Sequence, residues 1–187
     1  MRVRVLDGVV LPEMLADLRR ACDGLIYRYG WKSVIGKPWP GLWTAKILAA
    51  NEDKVQDVGR DLDRFEPPFD VFRAYWAYLR GAGPFSPEAA LLRMYANTYT
   101  YGTDGYPHTD SKREEEVTAV LYLCREWLPE WAGATAVWAA SGGEIERAVM
   151  PKPGRLLIFP GNSLHAAWAV SRVCPVERRV LVVKVRN

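Results

Sequence analysis

The run Leu91-Leu92-Arg93-Met94-Tyr95-Ala96-Asn97-Thr98-Tyr99 leads through a turn at Gly102 into Tyr106-Pro107-His108-Thr109-Asp110-Ser111. Short apolar runs broken by Gly and Pro follow it, at 117–124, 134–140, 147–150, 155–159, 166–170 and 178–185. Runs of this length, rich in Val, Leu and aromatic residues and bounded by turn formers, predict strands. Upstream the texture is helical. Pro12 can open a helix in which Leu11, Leu15, Leu18, Cys22 and Leu25 recur every three or four residues as one apolar stripe. The spacing of Val55, Val58, Leu62 and Phe65 predicts another helix, and that of Val71, Phe72, Tyr75, Trp76 and Leu79, stopping at Gly81, a third. Residues 27–44 differ: Tyr27, Tyr29, Trp31, Trp39 and Trp43 stand among Gly30, Gly36, Pro38, Pro40 and Gly41, which predicts an aromatic loop laid over either the core or a substrate. Helices followed by six to eight strands predict one α+β, mainly β domain over 1–187, an antiparallel sandwich or jelly roll at about 91–187 supported by N-terminal helices at about 1–90.

Composition narrows the function. The chain has 187 residues, with 25 Lys and Arg against 22 Asp and Glu for a net charge of +3, and no run of four basic residues. Such a balance advertises no nucleic-acid surface. Cys22, Cys124 and Cys174 are odd in number and widely spaced, without a CxxC pair, so reduced thiols in a cytoplasmic protein are expected rather than a disulfide framework or a thiolate zinc site. No stretch approaches the roughly 20 apolar residues of a membrane span, and residues 1–7 do not read as a signal peptide.

Only two histidines occur, His108 and His165. On an extended segment the first and third residues of His108-Thr109-Asp110 point to one face, so an imidazole nitrogen and a carboxylate oxygen can converge on one metal ion. A third ligand, His165, follows after several predicted strands. Two histidines and a carboxylate on one side of an octahedron suit non-haem Fe(II), leaving positions for a bidentate cosubstrate and O2. A basic residue then leads the last predicted strand, at Arg178 or Arg179.

On these residues, 91–187 resembles the core of the 2-oxoglutarate- and Fe(II)-dependent dioxygenases, most closely their prolyl 4-hydroxylase-like branch. Leu92 to Asn97, Tyr101-Gly102 and Pro107 to Ser111 are similar to the family's strand, glycine turn and H-x-D; Val117 to Leu123 and Glu126-Trp127 resemble its next strand and turn. Gly154 to Phe159 with Leu164-His165, and Arg178 to Val182, resemble the strands that bring the distal histidine and the basic partner of the cosubstrate. The resemblance implies a double-stranded β-helix and Fe(II) held by His108, Asp110 and His165 as the catalytic centre. It also implies 2-oxoglutarate as cosubstrate with its far carboxylate on Arg178 or Arg179 and on Tyr122, O2 as oxidant, and ascorbate as a supporting reductant. Arg178 is favoured, because it stands three before Leu181 as in the family pattern. Departures are Gly133-Ala134-Thr135 where the family has two glycines, and twelve residues between His165 and Arg178.

The resemblance further implies hydroxylation, cyclisation or desaturation of an unactivated carbon, and the carboxylate of Asp110 points away from halogenation. A small molecule such as an amino acid, sugar or natural-product intermediate is the expected substrate, with Trp31, Trp39, Trp43, Asn97, Tyr99, Tyr101 and Tyr106 as candidate contacts. The alternatives are a peptidyl-prolyl hydroxylase, a cupin-like metal enzyme and a non-catalytic jelly-roll binding module. Oligomeric state is not legible.

Overall fold

The structure, a computed structural model, describes residues 2–34, 36–37, 41–49 and 56–187. Ten strands and two α-helices are present among the described residues. β1 (Arg4–Leu6) precedes α1 (Pro12–Asp23), then β2 (Arg28–Trp31), β3 (Leu42–Ala49) and α2 (Val71–Gly81). β4 (Ala90–Tyr99), β5 (Glu116–Tyr122), β6 (Thr135–Trp138), β7 (Ile145–Val149), β8 (Leu156–Pro160), β9 (His165–Ala167) and β10 (Arg178–Arg186) complete the chain. Every C-terminal strand expected from the apolar runs is there, shifted by a few residues at its ends.

Seven strands pair antiparallel in the order β1-β8-β5-β10-β4-β3-β2, and β7-β6-β9 form a smaller sheet. Together they make the double-stranded β-helix. Alternation along the central strands sorts residues between two cores. Met94 and Ala96 of β4, Val117, Ala119 and Leu121 of β5, and Leu181, Val183 and Val185 of β10 pack with Leu15, Leu18 and Cys22 of α1 and Phe72, Tyr75, Trp76 and Leu79 of α2. The intervening residues Val120, Tyr122, Val180 and Val182 face the smaller sheet, joining Val137, Val149, Leu157 and Phe159. α1 starts at a proline whose missing N–H is no loss in a first turn, with Glu13 beside the N-terminus and Arg20 near the C-terminus, both favourable to the helix dipole.

The N-terminal part corrects three expectations. Residues 1–90 are not a purely helical support, because β1 extends the large sheet beyond β8 while β3 and β2 extend it beyond β4. The region 27–44 is accordingly no simple loop: Arg28, Tyr29 and Trp31 pair with Thr44, Trp43 and Leu42 in a hairpin. Both of its ladders contain a register shift, between Tyr29 and Trp31 and between Lys46 and Leu48, and such bulges break the period-two signature of a strand. The periodicity of Val58, Leu62 and Phe65 reflects burial against the core rather than an α-helix, since a 3-10 turn at Gly59–Arg64 carries it, and Val55 lies outside the described residues. All three cysteines are free, and burial pushes the Cys22 thiol up to about 12 and that of Cys124 to about 11, so both stay protonated at neutral pH. Among the described residues, no helix is long and apolar enough to cross a membrane.

Candidate active site

His108 and His165 face one another across a reciprocal backbone pair, His108 N–H to His165 O at 3.0 Å and His165 N–H to His108 O at 2.9 Å. The same docking continues on both sides, where Gly105 donates to Ala167 O at 2.8 Å and Asp110 to Gly161 O at 2.8 Å. The segment bearing H-x-D thus lies along β9 as an extra rung, which delivers His108 and Asp110 beside His165. One ligand atom from each of the three lies within 4.8 Å of the others. His108 Nε2 is 3.5 Å from Asp110 Oδ1, and His165 Nε2 is 3.5 Å from Asp110 Oδ2.

Both imidazoles have their tautomer set by the chain. His108 Nδ1–H donates to its neighbour's carbonyl, Tyr106 O, at 2.8 Å, and His165 Nδ1–H to Ser163 O at 3.0 Å. A carbonyl can only accept, so each Nε2 keeps its lone pair for a metal. Burial pushes His165 down to about 4, against the pull of Asp110, and the ring is neutral at physiological pH. Burial works upward on Asp110, but His165, His108 and Lys184 outweigh it and hold the carboxyl well below its usual range. Two imidazole Nε2 atoms and an ionised carboxylate form a borderline nitrogen and hard oxygen set, which fits Fe(II). The carboxylate is itself oriented: Thr118 Oγ1 donates to Oδ2 at 2.6 Å and Lys184 Nζ to Oδ1 at 2.7 Å.

The two arginines at the start of β10 part company as alternation requires. Arg178 is 2% exposed on the inner face, donating from Nε to Gly133 O at 2.7 Å and from an Nη to Thr135 Oγ1 at 2.6 Å. Its guanidinium stands 4.9 Å from the Tyr99 ring centroid and 5.2 Å from that of Tyr122. Arg179 points the other way, to Asp23 and Glu177 with Tyr27 beneath it. Tyr122 is fully buried; its hydroxyl donates to Val149 O at 3.2 Å and meets Thr135 Oγ1 at 2.7 Å. Gly133, at φ +73°, adopts the left-handed conformation, and a Cβ there would sit 3.2 Å from Arg178 Cδ, so the glycine permits the arginine's path.

A cavity of about 720 Å³ connects these groups, lined by His108, Asp110 and His165 as well as by Thr135 and Arg178. Of the expected substrate contacts, Trp31, Asn97 and Tyr99 line it. Asn97 is 6% exposed, and its Oδ1 has no hydrogen-bond partner among the described residues. Three others are not in its lining. The Trp43 ring is tilted against that of Tyr29, with centroids 5.2 Å apart, and is partly exposed, Tyr101 is 57% exposed under Arg172, and Tyr106 reaches the site through its carbonyl while its ring lies under Lys37. Pleating turns Trp43 to the face opposite its neighbour Thr44, which lines the cavity, and Tyr101 stands exposed beyond the end of β4. Trp39 lies outside the described residues.

Residues not singled out beforehand also line the wall, among them Thr118, Thr135, Lys46, Arg93 and Lys184. Stepping by two from Arg178 along its own strand reaches Val180, Val182 and Lys184, so Lys184 was recoverable by alternation alone. Thr118 and Thr135 carry no sequence signal beyond their place in apolar runs.

Residues 92–185 match the model of the 2OG-Fe(II) oxygenase superfamily. No curated protein matches the chain. Among solved structures it is similar to an oxidoreductase of the 2OG-Fe(II) oxygenase family from Burkholderia pseudomallei, with 16% identity and TM-score 0.75 over 99% of this chain and 85% of that one. A prolyl-4-hydroxylase from Pseudomonas putida follows the same path, with 20% identity and TM-score 0.65 over 99% and 92%. So does the epimerase SnoN, in complex with Fe3+, alpha ketoglutarate and nogalamycin RO, with 14% identity and TM-score 0.60 over 99% and 78%. These likenesses establish a shared fold, and the match over half of the sequence establishes kinship: the chain belongs to the 2OG-Fe(II) oxygenase superfamily, as an oxidoreductase that works with Fe(II), 2-oxoglutarate and O2.

Proposed function

We propose that the whole chain, as one domain, oxidises a small molecule at an Fe(II) held by His108, Asp110 and His165, with the far carboxylate of 2-oxoglutarate on Arg178. The observation that carries this reading is the buried guanidinium. A cation at 2% exposure normally has an anionic partner, yet the neighbours of Arg178 are a carbonyl, a hydroxyl and two phenol rings, with no carboxylate paired to it among the described residues. A dicarboxylate reaching from the triad supplies that partner.

Bound together, Fe(II) and 2-oxoglutarate supply the activation of O2 and the oxidation of an unactivated C–H bond, with release of succinate and CO2. The chain's own residues do the rest. Thr118 and Lys184 fix the Asp110 carboxylate, and the carbonyls of Tyr106 and Ser163 fix the rings, so the donor set needs little rearrangement to bind metal. Thr135 bridges Arg178 and Tyr122, which places Tyr122 behind the arginine as its support, with Thr135 and Arg178 facing the cosubstrate. Val120, Val180 and Val182 wall the space between with apolar surface and exclude water. A cavity of about 720 Å³ is of the size that encloses a small ligand together with a cosubstrate, which favours a small-molecule substrate over a peptide. Hydroxylation is the expected outcome.

The test is an anaerobic titration of metal-free protein with Fe(II) and then 2-oxoglutarate. The expected result is the weak visible charge-transfer band of the chelated cosubstrate, absent in His108→Ala. Tight metal binding without the band would overturn the reading in favour of a cupin-like metal enzyme or a binding module.

A further inference from the structure

The carboxylate of Asp110 is held by two donors that stand opposite one another across the sheet. Lys184 of β10 is the register partner of Thr118 of β5, and both line the cavity. From that pair Lys184 Nζ donates to Asp110 Oδ1 at 2.7 Å and Thr118 Oγ1 to Oδ2 at 2.6 Å. The imidazoles do not tell the two oxygens apart, since His108 Nε2 lies 3.5 Å from Oδ1 and His165 Nε2 lies 3.5 Å from Oδ2. The donors do: one is an ammonium and the other a neutral hydroxyl. Asp110 is the only ion-pair partner of Lys184 among the described residues, and with the two side chains 16% and 6% exposed, water screens the contact weakly.

The difference between the oxygens matters once a metal is held by the triad as read above, on which this inference rests. A carboxylate binds a metal through one oxygen or chelates it through both. Chelation by Asp110 would fill one of the positions that 2-oxoglutarate and O2 need. A cation hydrogen-bonded to an oxygen draws electron density from it and repels a second cation, and a hydroxyl does far less of either. Oδ2 keeps a lone pair for the metal beside its bond from Thr118. We infer that Lys184 is a positioning residue that reserves Oδ1 of Asp110, so that the metal is held through Oδ2 alone and three of six positions stay open. The wall itself does not require a lysine there: the two preceding cavity-facing residues of β10 are Val180 and Val182, and a third apolar side chain would continue the surface.

The test uses intact protein loaded with Mn(II), without 2-oxoglutarate, and reads the water-proton relaxation enhancement, which scales with the number of exchangeable waters on the ion. A six-coordinate ion with three protein ligands keeps three waters. Lys184→Met, and the milder Lys184→Gln, free Oδ1 to chelate, so the enhancement falls by about a third. On the same Mn(II) proteins 2-oxoglutarate, titrated calorimetrically, binds about tenfold more weakly. Lys184→Arg keeps a cation on Oδ1 and retains the wild-type enhancement, and so does Thr118→Val, which leaves Lys184 in place. Unchanged enhancement in both Lys184→Met and Lys184→Gln, an equal fall in Thr118→Val, or a fall in Lys184→Arg as deep as in Lys184→Met would overturn the inference. Mn(II) binding by His108→Ala separates the two failures: where the wild type binds the ion and His108→Ala does not, only the role of Lys184 falls, and where both bind it equally, the triad reading falls too.

Discussion

The two faces of β10 are made from one strand and have opposite tasks. Leu181, Val183 and Val185 meet the helices and are wholly buried in hydrocarbon. Arg178, Val180, Val182 and Lys184 meet the cavity and carry charge at both ends of an apolar middle. β4 and β5 divide in the same way, with Met94, Ala96, Ala119 and Leu121 on one side and Tyr95, Asn97, Thr118 and Val120 on the other. The helix-covered face is mostly hydrocarbon and contributes most of the stability; the cavity face holds charged and polar groups that are costly to bury. Damage to one face should therefore leave the property of the other nearly intact.

His108→Ala is the sharpest test of that separation. Succinate formation should be lost completely while the thermal midpoint of the metal-free protein stays within a few degrees of wild type, measured by coupled assay and calorimetry on the same preparation. Arg178→Ala comes next. Loss of a buried, hydrogen-bonded charge contact should weaken 2-oxoglutarate by about 2–4 kcal/mol, roughly 30- to 1000-fold, whereas Arg179→Ala, on the outer side with Asp23 and Glu177, should leave its affinity unchanged. Equal effects of the two would erase the distinction between the faces at this position.

Leu181→Ala reverses the pattern. Removing a fully buried side chain beneath the helices should cost about 2–5 kcal/mol in urea unfolding, with the 2-oxoglutarate affinity of the folded fraction preserved.

The smallest effect is expected at the sheet's edge, where Asp7 after β1 accepts from Arg155 and Lys152. Hydrogen bonds from those two cations, foremost that from Arg155, hold its carboxyl well below the usual range. A depressed folded-state value means stability that is present above the unfolded pKa of about 3.9 and is lost as pH falls toward the folded one. With the side chain 39% exposed, solvent screens much of this. Asp7→Asn should cost under about 1 kcal/mol at pH 7, and the gap to wild type should narrow as pH drops below about 4, followed by urea unfolding at each pH. A gap that widens in acid would reverse the assigned sign.

How far the site was legible follows from where its signals lie. His108-Thr109-Asp110 is local, three residues in an extended segment, and His165 is the only other histidine, so the donor set could be read from spacing and residue type. The β2–β3 hairpin was hidden, because two bulges and a cluster of Gly, Pro and Trp mask the alternation that marks a strand. Trp43, Tyr101 and Tyr106 were indistinguishable from Trp31 by composition; only the pleat and the path of the chain decide which ring meets the cavity.

By itself the sequence determined the strand-rich architecture of 91–187, the helices α1 and α2, and the triad, since periodicity and ligand spacing are properties of neighbours along the chain. Tertiary structure alone decided which way β10 is turned. One residue of register separates Arg178 buried over Tyr99 and Tyr122 from Arg179 paired at the surface. It alone brought Lys184 and Thr118 from two strands to the two oxygens of Asp110. A net charge of +3 gave no hint of that ion pair, because Coulomb interaction depends on distance in space and composition carries none.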